Sequence, residues 1–260
     1  MEKWQKKAKK DKKVYIYGKH ALMEALLNAP QIVQKVFLAS NCDNELNNLL
    51  RKNNISISEL SANAVSQLDR ADGKGEASHQ GVIAQIDVEK LMVPYKDFIS
   101  NLQVTPDTVL VLLDELQDPQ NVGAIIRSAA AFGVAGVFIP KHNQAPVTGS
   151  VVKVSAGMAF RVPIVAIGNV NNTVRDLKKK GFWIYGLDGT AEKNVTEEKF
   201  EEPTVFIMGN EGKGIRQKTL ELCDFPISIP MNDKCESLNA AAAAAVSFYA
   251  WSTRHPGAIE

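Results

Sequence analysis

Cysteine is scarce in this sequence, and the residue patterns of several common chemistries are missing. The three cysteines, Cys42, Cys223 and Cys235, stand singly without a CxxC pair, which argues against a disulfide framework or a zinc ribbon and suits a reducing cytoplasm. The four histidines show no paired metal-ligand spacing, and the HExxH, GxSxG and Walker A motifs are absent. We therefore expect no metal centre, no acyl-enzyme chemistry and no P-loop.

Long apolar runs are also missing. No stretch approaches the roughly 20 apolar residues needed to span a bilayer, and the first residues lack the apolar core of a secretory signal. We therefore expect a soluble, cytoplasmic protein with no membrane contact. Hydrophobic residues make up 45 % of the 260 residues, which is enough for one sizeable core or two smaller ones.

The charge is unevenly distributed, although the net charge is only +1. Residues 1–13 contain seven lysines and two acidic residues, so the rest of the chain is slightly acidic. We interpret this segment as a basic disordered tail. It could follow an RNA phosphate backbone or serve only as a solubilising terminus, and the sequence leaves both roles open.

Apolar periodicity divides the rest of the chain into two α/β units. In residues 14–88 the spacing of apolar residues changes between period 2 and about 3.6, as in a small α/β sandwich. Residues 70–81 of this unit are predicted to be a glycine-rich loop. Residues 89–106, with Pro94 and Pro106, are predicted to be a linker, and residues 107–260 a second domain. The predicted strands are 14–17, 35–38, 55–57, 82–86, 108–113, 136–139, 162–167, 182–187, 204–208 and 225–229, and the predicted helices are 18–28, 43–52, 62–68, 121–132, 150–159, 170–180, 215–222 and 238–254.

The second domain alternates strand and helix, which predicts a mostly parallel sheet covered on both faces. Ligands of such sheets bind outside the carboxyl ends of the strands. Three predicted strand ends carry unusual residues, in the segments that follow Leu113, Met208 and Ile229. We therefore expect a ligand site at these strand ends.

Each of the three segments also has an ordinary structural interpretation. Asn121 stands where a helix N-cap is expected, and Arg127 follows about a turn and a half along the helix. The glycine-rich run 209–214 could leave backbone N–H groups free for an anion, or it could be a simple turn. Ser237 or Asn239 could cap the alanine-rich last helix.

Taken together, the three segments resemble a known family. In this order and spacing, DPQNVGAIIRSAAAFG, FIMGNEGKGIR and ISIPMNDKCESLNAAAAAAV are similar to the TrmH family of SPOUT-superfamily RNA ribose 2'-O-methyltransferases, over about residues 107–254. Residues 14–88, with HQGVIA, and the segment KHNQAPVTGSVVKVSAGMAF look like the branch that modifies guanosine in bacterial 23S rRNA. The resemblance implies an α/β fold in which a small RNA-binding domain precedes a parallel-sheet SPOUT domain with a trefoil knot, and it implies a homodimer.

The resemblance also implies a cofactor and site residues. S-adenosyl-L-methionine would be the cofactor, and the residues at its contact positions are Leu187, Gly209, Ile229, Met231 and Leu238. The residues at catalytic or substrate positions are Asn121, Arg127, Glu211, Ser237 and Asn239. A guanidinium has a pKa above about 12 and is a poor base. We therefore expect Arg127 to clamp an RNA phosphate and stabilise the developing alkoxide, and Glu211 to orient its neighbours.

The predicted activity is S-adenosylmethionine-dependent 2'-O-methylation of a guanosine ribose in large-subunit rRNA. Two alternatives share this chemistry, a tRNA ribose methyltransferase and a resistance-type rRNA adenosine methyltransferase, and the tRNA relatives generally lack such an N-terminal domain. A third alternative is a non-catalytic RNA-binding or ribosome-assembly protein, against which the intact Arg127, Glu211 and Asn239 weigh. The sequence leaves open which nucleotide is modified and which protomer supplies Arg127.

Overall fold

The computed structural model describes residues 14–39, 44–61 and 81–259. The chain divides into two compact units, Met1–Lys90 and Leu91–Glu260. The predicted basic tail 1–13, the predicted helix 62–68, Cys42 and all of the glycine-rich loop except Gly81 lie outside the described residues. Within the described ranges, the helices are too short or too polar to cross a membrane.

The first unit contains a four-stranded mixed sheet. Its elements are β1 (Val14–Tyr17), α1 (Lys19–Asn28), β2 (Val33–Leu38), α2 (Asn44–Lys52), β3 (Ser56–Glu59) and β4 (Val82–Ile86). The sheet order is β1-β4-β2-β3, with β4 antiparallel to β1 and β2, and β3 parallel to β2. α1 buries Leu22, Ala25 and Leu26, spaced at about one helical turn as an amphipathic helix on a sheet requires. The predicted small α/β architecture is confirmed.

The second unit contains a seven-stranded parallel sheet. Its strands are β5 (Met92–Pro94), β6 (Val109–Asp114), β7 (Gly136–Pro140), β8 (Ile164–Ile167), β9 (Trp183–Leu187), β10 (Thr204–Gly209) and β11 (Phe225–Ile227). Its helices are α3 (Tyr95–Asn101), α4 (Pro119–Ala131), α5 (Gly149–Val154), α6 (Val170–Lys179), α7 (Gln217–Leu220) and α8 (Ala240–Ser252). The order is β11-β9-β10-β6-β7-β8-β5, and every neighbouring pair is parallel. β6 is buried along its whole length, as expected for a parallel sheet covered on both faces.

The predicted linker over 89–106 is wrong for residues 92–101. β5 pairs with β8 at the sheet edge, and Phe98 of α3 packs edge-on against Phe138 at 5.5 Å between ring centroids. A strand of three residues is too short to show a period, and its Pro94 is tolerated because an edge strand does not need every N–H. Residues 92–101 therefore belong to the core of the second unit.

Several helices differ from their predicted bounds, and α8 is two residues shorter than predicted at each end. α4 begins two residues earlier than predicted, with Pro119 in the first turn, a position that tolerates the missing N–H. α5 ends at Val154 rather than at residue 159, because Ala156 and Gly157 take left-handed backbone angles (φ 51° and 82°) that end a right-handed helix. α7 is a single turn of four residues instead of the predicted eight.

The sheet register places several strand ends side by side. Gly209 at the end of β10 pairs with Asp114 at the end of β6, and Leu187 at the end of β9 pairs with Ile227 at the end of β11. The loops that leave these strands therefore start from one edge of the sheet.

Candidate functional site

A cavity of about 310 Å³ opens at the carboxyl ends of β9, β10 and β11. All five residues predicted to contact the cofactor line it, as do two of the five predicted catalytic residues. The lining residues are Leu187, Asp188, Gly189, Met208, Gly209, Asn210, Glu211, Gly212, Gly214, Ile227, Ser228, Ile229, Met231, Glu236, Ser237, Leu238, Ala240 and Ala243. The segments after Met208 and Ile229 thus meet at one cavity, with the end of β9 as an additional wall.

The wall of this cavity combines apolar and acidic side chains. Leu187, Ile229 and Leu238 supply apolar surface, whereas Asp188, Glu211 and Glu236 supply carboxylates. Among the described residues that line it, none is a lysine or an arginine. Such a wall suits a ligand that has an apolar, planar part and a positive charge.

Gly209 is required by a close approach of two backbone segments. A Cβ at this position would lie 2.2 Å from the carbonyl carbon of Gly214 and 2.2 Å from the nitrogen of Ile215. The loop 210–215 therefore folds back directly onto the end of β10, and only glycine leaves space for it. This packing shapes the floor of the cavity.

Asn210 holds the glycine-rich loop closed. Its backbone exchanges two 2.9 Å hydrogen bonds with Gly214, and its Oδ1 accepts from the backbone N–H groups of Gly212 and Lys213, both at 3.1 Å. The prediction that this loop offers free N–H groups to an anion is therefore wrong for these three, because Asn210 already bonds them.

Glu211 is connected to α4 and to α8 by a line of hydrogen bonds. Its Oε1 accepts from Nδ2 of Asn121 at 3.0 Å, and Oδ1 of Asn121 accepts from Nδ2 of Asn239 at 2.8 Å. Oδ1 of Asn239 in turn accepts from the backbone N–H groups of Ala241 and Ala242 at the start of α8. We call this line of three side chains, Glu211, Asn121 and Asn239, the amide relay.

The direction of the amide relay is set at its two ends. The first N–H groups of α8 can only donate, so Asn239 must present its oxygen to them and its nitrogen to Asn121. Asn121 then presents its own nitrogen to Glu211, which accepts as a carboxylate. The relay therefore requires an acceptor oxygen of Glu211 at its far end, and the ionised carboxylate is the strongest acceptor.

Helix capping separates the roles of these residues. Asp118 is the N-cap of α4 and accepts from the N–H of Gln120 at 2.8 Å, so the prediction of Asn121 as the N-cap is wrong. The Pro119 at the first helical position moves the cap upstream and leaves Asn121 buried inside the first turn. Of the two predicted caps of α8, Asn239 is the one that forms the capping bonds.

Hydrogen bonds lower the pKa of Glu211. Partial burial alone would raise it, but the bonds from Asn121 and from the backbone N–H groups of residues 211, 117 and 118 outweigh burial, so the net shift is below the usual 4.5. Glu211 therefore stays ionised at neutral pH as a weaker base than an ordinary glutamate, and its hydrogen bonds join the loop at 117–118 to the loop after β10.

Two acidic residues at the end of β6 were not among the predicted site residues. Asp114 is fully buried and pairs with the guanidinium of Arg216 through Nη2, while Nη1 of Arg216 bonds Oε1 of Glu115 at 3.0 Å. The hydrogen bond that Arg216 donates to Asp114 is the largest cause that raises the pKa of Arg216. The only sequence signal for these contacts is an acidic pair at the end of an otherwise apolar strand. Their partner, Arg216, lies 102 residues after Asp114 in the sequence.

The other predicted residues occupy different places. Ser237 lines the cavity, and its backbone oxygen accepts a weak bond from Sγ of Cys235 at 3.2 Å. Arg127 lies on the exposed side of α4, outside the cavity wall, and its side chain contacts no acceptor among the described residues. The structure thus brings together nine of the ten predicted residues, through the cavity wall or the amide relay, and leaves Arg127 apart.

Two family models match the chain, one on each unit. Residues 108–249 match the model described as the SpoU rRNA Methylase family. Residues 15–91 match the model described as RNA 2'-O ribose methyltransferase substrate binding.

Curated proteins of similar length align over most of the chain. The chain is 37 % identical over 239 residues to the 23S rRNA (guanosine-2'-O-)-methyltransferase RlmB of Vibrio cholerae, covering 90 % of this chain and 94 % of the relative. It is 35 % identical over 240 residues to the enzyme of the same name from Xanthomonas campestris, with the same coverage.

A solved structure superimposes on most of the chain. The SpoU methyltransferase AviRb from Streptomyces viridochromogenes, solved in complex with the cofactor AdoMet, matches with a TM-score of 0.78 and 26 % identity, covering 94 % of this chain and 91 % of that one.

Proposed function

Because the chain belongs to the SpoU rRNA methylase family, we propose that it transfers the methyl group of S-adenosylmethionine to the 2'-hydroxyl of a guanosine ribose in 23S rRNA. The relatives that align over nine-tenths of the chain carry this activity in their names. The match of residues 15–91 to a substrate-binding model of RNA 2'-O ribose methyltransferases supports an RNA substrate. We place the reaction in the cytoplasm, where bacteria make their ribosomal RNA.

The single observation that carries the proposal is the cavity at the ends of β9, β10 and β11. S-adenosylmethionine combines a planar adenine with a positively charged sulfonium, and the cavity combines apolar surface with three carboxylates. Its volume of about 310 Å³ is also at the lower end of the range for small-molecule sites, about 300–1,000 Å³. The residues present therefore fit this cofactor.

In this site the cofactor would supply an electrophilic methyl group, the chain's own residues position the ribose, and the hydroxyl proton leaves to an acceptor other than Arg127 and Glu211. The amide relay fixes the loops after β6 and β10 relative to the start of α8, which keeps the wall beside Ser237 in place. Precise positioning can contribute several kcal/mol to a transfer between two bound groups. We propose that the relay acts by orientation and that Glu211 does not take the proton.

Arg127 is proposed to clamp an RNA phosphate next to the reacting ribose and to stabilise the developing alkoxide. A guanidinium suits this role because it is permanently charged and has a fixed fork of donors. Since Arg127 is exposed on α4 and does not line the cavity of its own chain, we propose that it serves the cavity of a second copy of the chain.

A homodimer is proposed on the exposed side of α8. Val246 and Tyr249 are 39 % and 60 % exposed although both are apolar and lie one turn apart. Tyr249 also contacts Phe132, just after α4, at 5.9 Å between ring centroids, so this surface adjoins the helix that carries Arg127. Pairing of two such surfaces would bury the apolar side chains and bring Arg127 close to the partner. We further propose that the segment from β10 to α8 forms the knotted crossing of the family, where the alanines of α8 allow close packing.

The experiment that tests the function is methyl transfer from labelled S-adenosylmethionine. The purified protein is incubated separately with unmodified 23S rRNA, 16S rRNA and total tRNA, and the labelled nucleotide is mapped. We expect label on one guanosine of 23S rRNA, at the ribose. Label on tRNA or on an adenosine would replace the proposal with one of the two related activities, and no label on any RNA would favour a non-catalytic RNA-binding protein.

A further inference from the structure

A second, polar cavity of about 310 Å³ adjoins the cofactor cavity, and Asn210 and Gly214 line both. The rest of its wall comes from the loop after β6, with Glu115 and Gln117, from Asn143 in the loop after β7, and from Lys213. The proposed function assigns no role to it. We call it the polar cavity.

The mixed charges of the polar cavity disfavour simple ions. A phosphate would meet the carboxylate of Glu115, and a metal cation would meet the ammonium of Lys213 and the guanidinium of Arg216. A wall that has both donors and acceptors suits a neutral ligand that presents both along one edge. In an RNA-modifying protein, an unstacked nucleobase is such a ligand, since its Watson–Crick edge carries donors and acceptors side by side.

Two groups in this wall have free bonding capacity. Oε1 of Glu115 accepts from Nη1 of Arg216 at 3.0 Å and from Nδ2 of Asn143 at 3.3 Å, whereas Oε2 has no partner among the described residues. The ammonium of Lys213 likewise forms no ion pair with any residue that the structure describes, and its side chain is exposed. The cavity thus offers one open carboxylate oxygen and one open ammonium.

Glu115 is held in place before any ligand binds. Its backbone adopts the left-handed conformation (φ 66°), which is uncommon for a residue with a side chain. Its carbonyl oxygen accepts from Nδ2 of Asn210 at 2.9 Å and from Nε2 of Gln117 at 3.2 Å. Asn210, which holds the glycine-rich loop closed, therefore also holds Glu115 in place.

We propose that the polar cavity binds the guanine base of the nucleotide whose ribose is methylated. The open Oε2 of Glu115 accepts from the adjacent N1–H and N2–H2 groups, which share this one oxygen, while Oε1 keeps its bonds to Arg216 and Asn143; Lys213 donates to O6. Adenine presents the opposite pattern, with an acceptor at N1 and an amine at position 6, so it would face Glu115 with an acceptor and Lys213 with a donor. This inference rests on the proposed function and assigns its base specificity to Glu115 and Lys213.

The test uses two 23S rRNA transcripts that differ only at the nucleotide found to be methylated, which is guanosine in one and adenosine in the other. The wild-type protein should prefer guanosine in kcat/KM by roughly ten- to a hundredfold, the range of discrimination for one well-formed set of base contacts. Glu115→Gln keeps the side-chain shape and an oxygen for Arg216, but it offers adenine a donor. We expect this variant to lose most of the preference, and Lys213→Met to reduce it as well.

A matched control is Glu201→Gln, which makes the same chemical change at a carboxylate that is 71 % exposed and precedes β10 at the opposite edge of the sheet. It should keep the wild-type preference. Binding of S-adenosylmethionine, measured by calorimetry, should be unchanged in Glu115→Gln, because Glu115 does not line the cofactor cavity.

The results that would contradict the proposed function differ from those that would contradict only the base-binding role. No transfer to either transcript by the wild-type protein would overturn the proposed function itself. Equal transfer to both transcripts would leave that function standing and overturn only the base-binding role. If Glu115→Gln lowers kcat/KM equally for both transcripts, Glu115 has only a structural role. If it raises kcat/KM equally for both, the cavity holds a phosphate instead of a base. Either result would overturn the inference.

Discussion

Asn239 and Asn121 lie 118 residues apart in the sequence and are joined by a 2.8 Å hydrogen bond in which Nδ2 of Asn239 donates to Oδ1 of Asn121. This bond connects the N-terminus of α8 to the first turn of α4. It makes the N-cap of one helix part of the same hydrogen-bonded line as Glu211 at the cofactor cavity. A residue whose local role is ordinary capping is thereby connected to the wall of the cavity.

The first prediction concerns Asn239→Asp. Aspartate caps a helix about as well as asparagine, so the helix cap is kept and any decrease in the melting temperature comes from the relay bond alone. The new carboxylate cannot donate, so the bond to Oδ1 of Asn121 is lost. If the Asn121 amide flips to donate to Asp instead, its oxygen faces the carboxylate of Glu211 and that bond is lost. One bond of the relay is therefore lost in either arrangement. We expect methyl transfer to slow by about tenfold or more, the effect of losing one bond to a charged group.

Asn239→Ala serves as the comparison. It removes the cap as well as the relay bond, so it should also lower the free energy of unfolding by about 1 kcal/mol. Wild-type turnover in Asn239→Asp would show that the relay does not contribute to the reaction.

The second prediction concerns the pH dependence of stability through Glu211. Folding lowers the pKa of Glu211, so its ionised form stabilises the folded state above the usual pKa of 4.5, and this contribution disappears as the pH falls through the lower folded pKa. Glu211→Gln removes the contribution. Because Glu211 is solvent-exposed, the difference in the free energy of unfolding at pH 7 should be less than about 1 kcal/mol.

Urea unfolding of the wild type and Glu211→Gln at several pH values between 7 and 3 measures this difference. It should be largest at neutral pH and shrink below pH 4.5. A difference that stays constant down to the lowest pH would mean that the ionised carboxylate is not what stabilises the loop.

The third prediction compares two glycines of the same cavity. Gly209→Ala places a methyl group 2.2 Å from backbone atoms that cannot move aside without opening the loop, so we expect a loss of about 1–3 kcal/mol in stability and weaker binding of S-adenosylmethionine. Gly189 also lines the cavity, but a Cβ there would contact no atom within 4 Å. Gly189→Ala should therefore leave the melting temperature unchanged. Equal melting temperatures for the two variants would contradict the close approach at Gly209.

The fourth prediction places Arg127 across a dimer. In a mixed dimer, one protomer carries Arg127→Ala and the other carries Leu238→Arg, which puts a positive charge into the cofactor cavity. If Arg127 serves the partner's cavity, one intact site remains, and the mixed dimer should have about half of the wild-type activity per dimer. An inactive mixed dimer would show that Arg127 acts within its own chain.

Single substitutions at Arg127 test its chemistry. Arg127→Lys keeps the charge but loses the fork of donors, so methyl transfer should fall while the dissociation constant of S-adenosylmethionine stays the same, because Arg127 does not line the cavity. Near-normal turnover with unchanged RNA binding would exclude the proposed role.

The fifth prediction concerns the dimer surface. Tyr249→Glu places a charge on the most exposed large apolar side chain among the described residues, and it should shift the protein to a monomer in light scattering. Methyl transfer should be lost with the dimer if Arg127 acts across it. Gln103→Glu adds the same charge at an exposed position outside α8 and should remain dimeric. A Tyr249→Glu protein that stays dimeric would place the dimer interface elsewhere.

The sequence predicts those elements whose pattern extends over enough neighbouring residues to be recognised. The alternation of strands and helices shows in windows of about ten residues, and it predicted the parallel sheet correctly. The three-residue strand β5 has no such window. The end of α5 is marked only by Gly157, because the left-handed Ala156 before it is an ordinary helix former in the sequence. These elements were therefore mispredicted.

By itself, the sequence determined the fold class and the ligand-binding edge of the sheet through local pattern, and it indicated five residues of the cofactor cavity through the resemblance of its motifs to a known family. Only the tertiary structure decided which polar groups meet. The order β9-β10-β6 brings the ends of distant strands together, so that Glu211 reaches Asn121 and Arg216 reaches Asp114 across 90 and 102 residues. Only the tertiary structure separates Arg127 from the cavity of its own chain, since the spacing of a motif along a helix does not say which side of that helix faces the site.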